Sequence, residues 1–270
     1  MSLANNDIND VCGWLSRKMS EARKQNYVIG LSGGIDSAVV ATLCTRAVGK
    51  DRVFGILMPI HSNAEDSILA TELANNLQID IASVDVTSAF DRWHTDLLES
   101  PKIAVYLTAG HLKSDPETLK LLRANSMARM RMMNLYSIAA LCNGLVVGTT
   151  NKTEAMIGYF TKYGDGGVDI EPIADFYKTE IYEIAEKLEE IPEGVKNRKP
   201  TAGLWDNQTD EDELGMTYDQ LDKALAKLSG FQGIRFQGFE EDIVTRVREM
   251  ILNNMHKTYL PPVFKRGGVS

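Results

Sequence analysis

The run LSGGIDS, residues 31–37, brings two glycines, two hydroxyls and a carboxylate into seven positions. Gly33 and Gly34 let the backbone turn tightly and present N–H groups that no side chain covers. Ser32 and Ser37 add hydroxyl donors. A helix starting here would add the partial positive charge of its N-terminus. The set suits a phosphate chain. Asp36 is the odd member, since a carboxylate in an anion nest makes sense where it holds a cation that the phosphates also touch, as Mg²⁺ usually is held. A Gly-rich turn capped by Asp36 accounts for the same residues without a ligand. The Gly–Lys–Ser/Thr ending of the Walker loop is absent, and so is the dinucleotide fingerprint.

The elements around this run must place it at a sheet edge. YVIGL, 27–31, is short and β-rich and stops at the glycines, and 37–49 reads as a buried helix closed by Gly49. RVFGILMP, 52–59, is a second strand, 65–79 a helix, and IASVDVT, 81–87, a third strand. A first helix is expected over 8–22, a long helix over 124–142, a fourth strand at LVVGTT, 145–150, and further helices at 176–188, 218–228 and 240–257. Residues 91–122 allow one or two helices with a loop around 107–116, and the tail PPVFKRGGVS reads as extended. Strands and helices alternate with short joins. This predicts an α/β fold, a doubly wound parallel sheet with helices on both faces, in a single domain over 1–270. From Lys199 the periodicity fades into a polar stretch with five acids, read as a mobile lid at about 199–215.

Composition narrows the partners. The 270 residues are 44% apolar, enough for a sizeable core without staples. The 29 basic and 37 acidic side chains leave a net charge of −8, which argues against a nucleic-acid coat. Three widely spaced cysteines, Cys12, Cys44 and Cys142, are poor material for disulfides or a zinc site. The N-terminus lacks a secretory pattern, and no apolar run approaches 18 residues. A cytoplasmic protein that binds no membrane is expected.

The SGGxDS pattern resembles the PP-loop nucleotide-α-hydrolase class, whose members split ATP between its α and β phosphates and place AMP on a substrate oxygen. A second block, GTTNKTEAMIGYFTKYGDGGVDIEPIADFYKTE at 148–180, closely resembles the ammonia-dependent NAD synthetase family. NSMARMRMMNLYSIA at 125–139, the late acidic loop and the pair His256–Lys257 resemble that family too. The likeness spans roughly residues 8–257. The loop MPIHSNAED, 58–66, departs from the family pattern, and His61 there either faces adenine or is a polar loop residue. PTAGLW stands where many members have PTADLW, so Gly203 removes a carboxylate from the lid.

The resemblance implies an adenine nucleotide α-hydrolase-like fold and a set of roles. ATP would be held by Gly30, Leu31, Ser32, Gly33, Gly34, Ile35, Asp36 and Ser37, with Thr149, Lys178 and Thr201. Mg²⁺ would sit on Asp36 and Glu154. Deamido-NAD would meet Arg129, Lys162, Asp169, His256 and Lys257, and Asp165 would lie near the nicotinate or the ammonium entry, so that Asp36, Asp165 and Lys178 form the catalytic set. Each has a plainer reading: a helix N-terminal acid for Glu154, a solvated lysine for Lys178, a helix C-cap for His256, a turn cap for Asp165. Arg123 and Arg131 are weaker candidates for the same anion-binding set, and both are compatible with simple surface positions. The implied reaction has two steps: the nicotinate carboxylate attacks the α-phosphorus, then ammonia displaces AMP. The run at 31–37 leaves no room ahead of it for a glutamine-splitting domain, so ammonia itself is the expected donor, and a homodimer is implied. A tRNA-modifying relative would need a basic groove or zinc cysteines. A nucleotide sensor without catalysis would lack Asp36, Glu154 or Lys178, and all three are present.

Overall fold

The computed structural model describes residues 3–198, 210–230, 240–264 and 266, with side chains from residue 6 onward. The chain runs through α1 (Leu3–Glu21), β1 (Asn26–Gly30), α2 (Ile35–Val48), a 3₁₀ turn at Lys50–Arg52, β2 (Val53–Leu57), α3 (Ala64–Leu77) and β3 (Asp80–Ser83). It continues through α4 (Thr87–Leu98), α5 (Pro101–Thr108), α6 (Pro116–Leu141) and β4 (Gly144–Val147). α7 (Lys152–Ile157), α8 (Lys178–Ala185), α9 (Glu193–Lys196), α10 (Asp210–Leu214), α11 (Tyr218–Leu228) and α12 (Glu241–Thr258) follow.

The sheet is parallel throughout, in the order β3-β2-β1-β4. Tyr27 of β1 pairs with Val53 on one side and Leu145 on the other. Tyr27, Val28 and Ile29 are fully buried, as a strand covered on both faces requires. One face packs on α1, α2, α3 and α8 through Leu15, Val39, Leu73 and Ile181. The other packs on α6 through Leu135, Ile138 and Ala139, against Val28, Ile56 and Val146. Successive strands step outward from β1 to β3, and the chain then returns to the far side of β1. The β1/β4 junction is therefore the switch point, where the carboxyl ends of open sheets bind ligands.

Two expectations shift for identifiable reasons. The long helix starts at Pro116 rather than near 124, because Asp115 caps it: its carboxylate accepts the Thr118 N–H at 2.9 Å, and Pro116 takes the first position. β4 ends at Val147 rather than Thr150, because Gly148 donates its N–H to the Ile170 carbonyl at 2.8 Å and the next residues leave the sheet. The ambiguous middle resolves into α4 and α5. The sequence places 199–215 in a surface loop. Its end instead forms α10, with Asp210 and Leu214 buried. Residues 199–209, with Thr201 and Gly203, lie outside the described residues.

Candidate functional site

A cavity of about 470 Å³ opens at the carboxyl ends of β1, β2 and β4. That volume lies within the range of small-molecule sites. Its floor is the β1–α2 turn. Gly33 has φ of +75°, and a Cβ there would meet the Asp66 carbonyl at 2.5 Å, so only glycine fits. The Ser32 and Ser37 hydroxyls lie 3.1 Å apart, Ser32 Oγ accepts the Gly34 N–H at 3.2 Å, and Ser37 donates to the Gly34 carbonyl at 2.9 Å. Gly34 caps α2 without any side-chain cap, which leaves the first turn of that helix open to an anion.

Three charged groups meet beside this turn. Lys178, the first residue of α8, is 2% exposed, with Nζ 2.5 Å from Asp36 Oδ2 and 3.5 Å from Glu154 Oε1. Burial opposes the lysine charge, but Asp36 and Glu154 outweigh it and raise the pKa. Burial pushes the Glu154 carboxyl pKa up; Lys178 works against that shift and Asp36 adds to it. The solvated-lysine reading of Lys178 is thereby excluded.

The pieces are fixed from behind. Asn151 is fully buried, donates to Asp36 Oδ1 at 3.0 Å and accepts the Glu154 N–H at 3.0 Å, while its own N–H bonds Glu154 Oε2 at 3.2 Å. This capping box on α7 ties the acid to Asp36. Asp222 of α11 accepts the Thr153 hydroxyl at 2.5 Å and the Thr179 N–H at 3.0 Å. Thr153 Oγ1 in turn accepts the Lys178 N–H at 2.8 Å. The Tyr218 ring lies under the lysine, with Nζ 5.1 Å from its centroid, and its hydroxyl donates to Asp210 at 2.8 Å.

Most of the sequence-derived ATP set comes together: Gly30, Leu31, Ser32, Gly34, Ile35, Asp36, Ser37, Thr149 and Lys178 line the cavity, with Glu154 beside them. Asp165 lines it as well. Its Oδ1 accepts the Thr161 N–H at 2.9 Å, which is the turn-cap geometry, while its surface opens on the cavity and the loop crowding it raises its pKa.

The other set splits. Lys257 lines the cavity and donates to the Gly158 and Phe160 carbonyls at 2.8 and 3.1 Å. Arg129, Lys162 and His256 gather outside it: Arg129 Nε bonds the Lys162 carbonyl at 3.2 Å, and Lys162 Nζ bonds the His256 carbonyl. Asp169 is away from them, accepting the Val146 N–H at 2.7 Å and the Tyr136 hydroxyl at 3.2 Å, which pins the segment after the GDGG loop to β4. His61 pairs with Asp91 at 2.7 Å and does not line the cavity.

Sequence reasoning missed three contributors. Asn151 and Asp222 hold the charged trio, and Arg198 lines the cavity with a 2.5 Å ion pair to Asp66. Arg131, a weaker candidate in the sequence, lines the cavity and is half-buried rather than a plain surface residue. It stands four positions from Met127 and from Leu135, inside the apolar stripe of α6, and a charge in such a stripe was a legible signal. Arg123 stacks over the Phe90 ring, 5.0 Å from its centroid, near Asp91.

A parallel sheet with an anion nest at its switch point, and a buried Asp–Lys–Glu cluster beside it, define an ATP-binding protein of the adenine nucleotide α-hydrolase-like class. The sequence profile described as NAD synthase matches residues 7–261. The chain belongs to the NAD synthase family. It is 40% identical to the NH(3)-dependent NAD(+) synthetase of Methanosarcina mazei over 96% of this chain and 97% of that one. Among solved structures, an NMN synthetase from Francisella tularensis superposes with a TM-score of 0.79 at 30% identity, over 97% of this chain and 99% of that one. The NH3-dependent NAD synthetase of Campylobacter jejuni, in complex with the nitrate ion, gives 0.75 at 28% identity, over 97% and 99%.

Proposed function

We propose that this chain is an ammonia-dependent NAD synthetase: it uses ATP to activate the nicotinate carboxylate of deamido-NAD and joins ammonia to it. The observation that carries the proposal is the Asp36–Lys178–Glu154 cluster beside the open α2 N-terminus, in a chain of the NAD synthase family.

The residues divide the work. The N–H groups at Gly33, Gly34 and the start of α2, with the Ser32 and Ser37 hydroxyls, bind the phosphates and stabilise charge that moves onto the departing pyrophosphate. A carboxylate oxygen attacks the α-phosphorus as the bond to pyrophosphate breaks. Ammonia then adds through its lone pair to the acyl carbon, the carbon–oxygen bond to AMP breaks, and a proton leaves the nitrogen. Asp165 lines the cavity at the GDGG loop and is the carboxylate assigned to holding ammonium. Arg129, Lys162, Asp169, His256 and Lys257 are assigned to deamido-NAD, and Thr149 and Thr201 to ATP. Enclosure of the cavity keeps water from the activated acyl group.

Asp36 and Glu154 fit a Mg²⁺ ion. Both are hard oxygen donors, both already converge on one cation, Lys178 Nζ, and Mg²⁺ in ATP sites uses one or two carboxylates plus phosphates. When bound there it would neutralise phosphate charge. Among the described residues no larger cluster of metal-ligating side chains occurs.

The proposal extends to assembly and location. Val105 of α5 and Leu121, Met133 and Leu141 of α6 are 57–89% exposed, an apolar display that suits a homodimer. No described helix is long and apolar enough to cross a membrane, and the three cysteines are free, in keeping with the cytoplasm. The net charge of −8 speaks against nucleic acid. Residues 199–215 keep the role of a lid.

The likeness to an NMN synthetase favours one second reading, in which the acyl substrate is the mononucleotide. Purified protein with ATP, Mg²⁺ and ammonium should release AMP and pyrophosphate with deamido-NAD and form NAD. Turnover only with nicotinate mononucleotide selects the second reading, and turnover with neither rejects both.

A further inference from the structure

Arg131 is a half-buried cation for which the described residues supply no ion-pair partner. It comes from α6, on the face of the sheet opposite α2 and α8, and reaches the cavity across the strand ends. Its Nε donates to the Met58 carbonyl at 3.0 Å and its Nη2 to the Ser62 hydroxyl at 3.3 Å, both neutral partners. No described carboxylate forms an ion pair with it. Of the other described cations lining the cavity, Lys178 is paired with Asp36 and Glu154 and Arg198 with Asp66, while Lys257, at the far end, is oriented by the Gly158 and Phe160 carbonyls. An unpaired guanidinium that protein surrounds is costly, and a cavity wall is where a ligand can remove the cost. Two bonds already fix its plane, so the remaining nitrogen is aimed with little freedom left to lose.

We infer that Arg131 binds an oxyanion of a substrate, at the point where the α-phosphate of ATP and the carboxylate of the acyl substrate meet. The position suits that chemistry. The nest and Lys178 hold the pyrophosphate end from the α2 and α8 face. In an in-line displacement the attacking oxygen arrives opposite the leaving one. A cation from the α6 face is therefore on the attacking side. A guanidinium there offers fixed N–H donors to a carboxylate or to a non-bridging phosphate oxygen. Burial lowers the Arg131 pKa, with Asp165 and then Asp66 acting against it from a distance, which fits a group that awaits a counter-charge.

The inference rests on the proposed reaction, and equilibrium binding separates the two. Arg131→Met keeps the stem and removes the charge, and Arg131→Lys restores charge without the fork. Affinity for a non-hydrolysable ATP analogue and for deamido-NAD is measured separately by calorimetry, with melting temperature as the check on folding. Arg92→Met on exposed α4 is the control for net charge. A charge-assisted hydrogen bond predicts a roughly 10- to 100-fold weaker Kd for one ligand in Arg131→Met, with Arg131→Lys in between. Loss for the analogue assigns the phosphate, and loss for deamido-NAD assigns the carboxylate. If folded Arg131→Met binds both ligands within about threefold of the wild type, Arg131 only anchors the loop after β2 and the inference is wrong. Wild-type protein that binds the analogue but makes no amide would instead fail the proposed function and leave the phosphate arm intact.

Discussion

The two ends of the site use their cations differently. At the nucleotide end, Lys178 is 2% exposed and sits between two carboxylates that Asn151 holds, while Thr153 and Asp222 hold the backbone at the start of α8. At the other end, Arg129, Lys162 and Lys257 bond only backbone carbonyls, and Arg129 lies exposed. A carboxylate neutralises a cation, whereas a carbonyl only orients it. The nucleotide end is thus a finished electrostatic unit within one chain, and the other end keeps net positive charge for an incoming anion. Removing a group should be costly and non-additive at the first end, and graded and ligand-specific at the second.

Lys178→Met gives the largest effect. It leaves Asp36 and Glu154 facing each other without the cation that holds them. Breaking a buried ion pair costs about 3–5 kcal/mol, and loss of a preorganised charge costs about 100- to 1,000-fold in turnover. Both a lower melting temperature and a collapse of ATP-dependent pyrophosphate release are expected. Turnover within tenfold of the wild type would show that the trio is not a unit.

Asp222→Asn comes next, because Asp222 does not line the cavity and acts through Thr153 and Thr179. Its carboxylate receives two donors, the Thr153 hydroxyl and the Thr179 N–H. An amide turns one acceptor into a donor and misaligns the start of α8. We expect kcat to fall roughly 10- to 100-fold with little change in KM for ATP. Thr153→Val should behave alike, and Thr153→Ser should restore activity. A fall in melting temperature without a fall in kcat would make the network structural only.

Lys162→Met probes the other end. Its hydrogen bond to the His256 carbonyl is near the surface, so stability should hardly move. The KM for deamido-NAD should rise about tenfold while affinity for the ATP analogue stays level. Equal losses for both ligands would erase the contrast between the two ends.

The legible parts of the molecule were those in which chemistry and periodicity coincide. LSGGIDS announces its strand-to-helix turn because glycine at 33 answers a positive φ and the close approach of Asp66. The alternation of strands and helices gives the parallel sheet, although short edge strands blur it: all four residues of β3 are exposed, and neither their burial nor their alternation marks its end. What stayed hidden were partnerships across the fold. Asp222 lies 69 residues from Thr153, and no local pattern connects them. Asn151 caps α7 as many asparagines cap helices, but its amide also turns towards Asp36, 115 positions away. Arg131, a weaker candidate in the sequence, stood out from Arg123 by its place in an apolar stripe. Family likeness supplied roles for Arg129, Lys162 and His256 that their local geometry alone, bonds to carbonyls near the surface, does not.

Glu171 separates the nucleotide end from its support by a smaller, pH-dependent effect. The residue lies where a side chain at position 148 would overlap its carboxylate, and it accepts the Thr150 N–H at 3.2 Å beside the cavity wall. Burial pushes its carboxyl up to about 8, which the Thr150 bonds only partly offset. An unfolded glutamate titrates near about 4.3. Between these values the folded form keeps a proton that the unfolded form has lost, so this group's contribution to stability falls as pH rises from about 4.3 to about 8 and then levels off. Glu171→Gln keeps an acceptor for Thr150 and has no charge to bury. Its melting temperature should match the wild type at the acid end of that window and exceed it by roughly 5 °C above pH 8. Melting curves across the window decide the matter: parallel profiles for the two proteins would mean that Glu171 ionises freely and that the wall behind Thr149 and Thr150 is open to water.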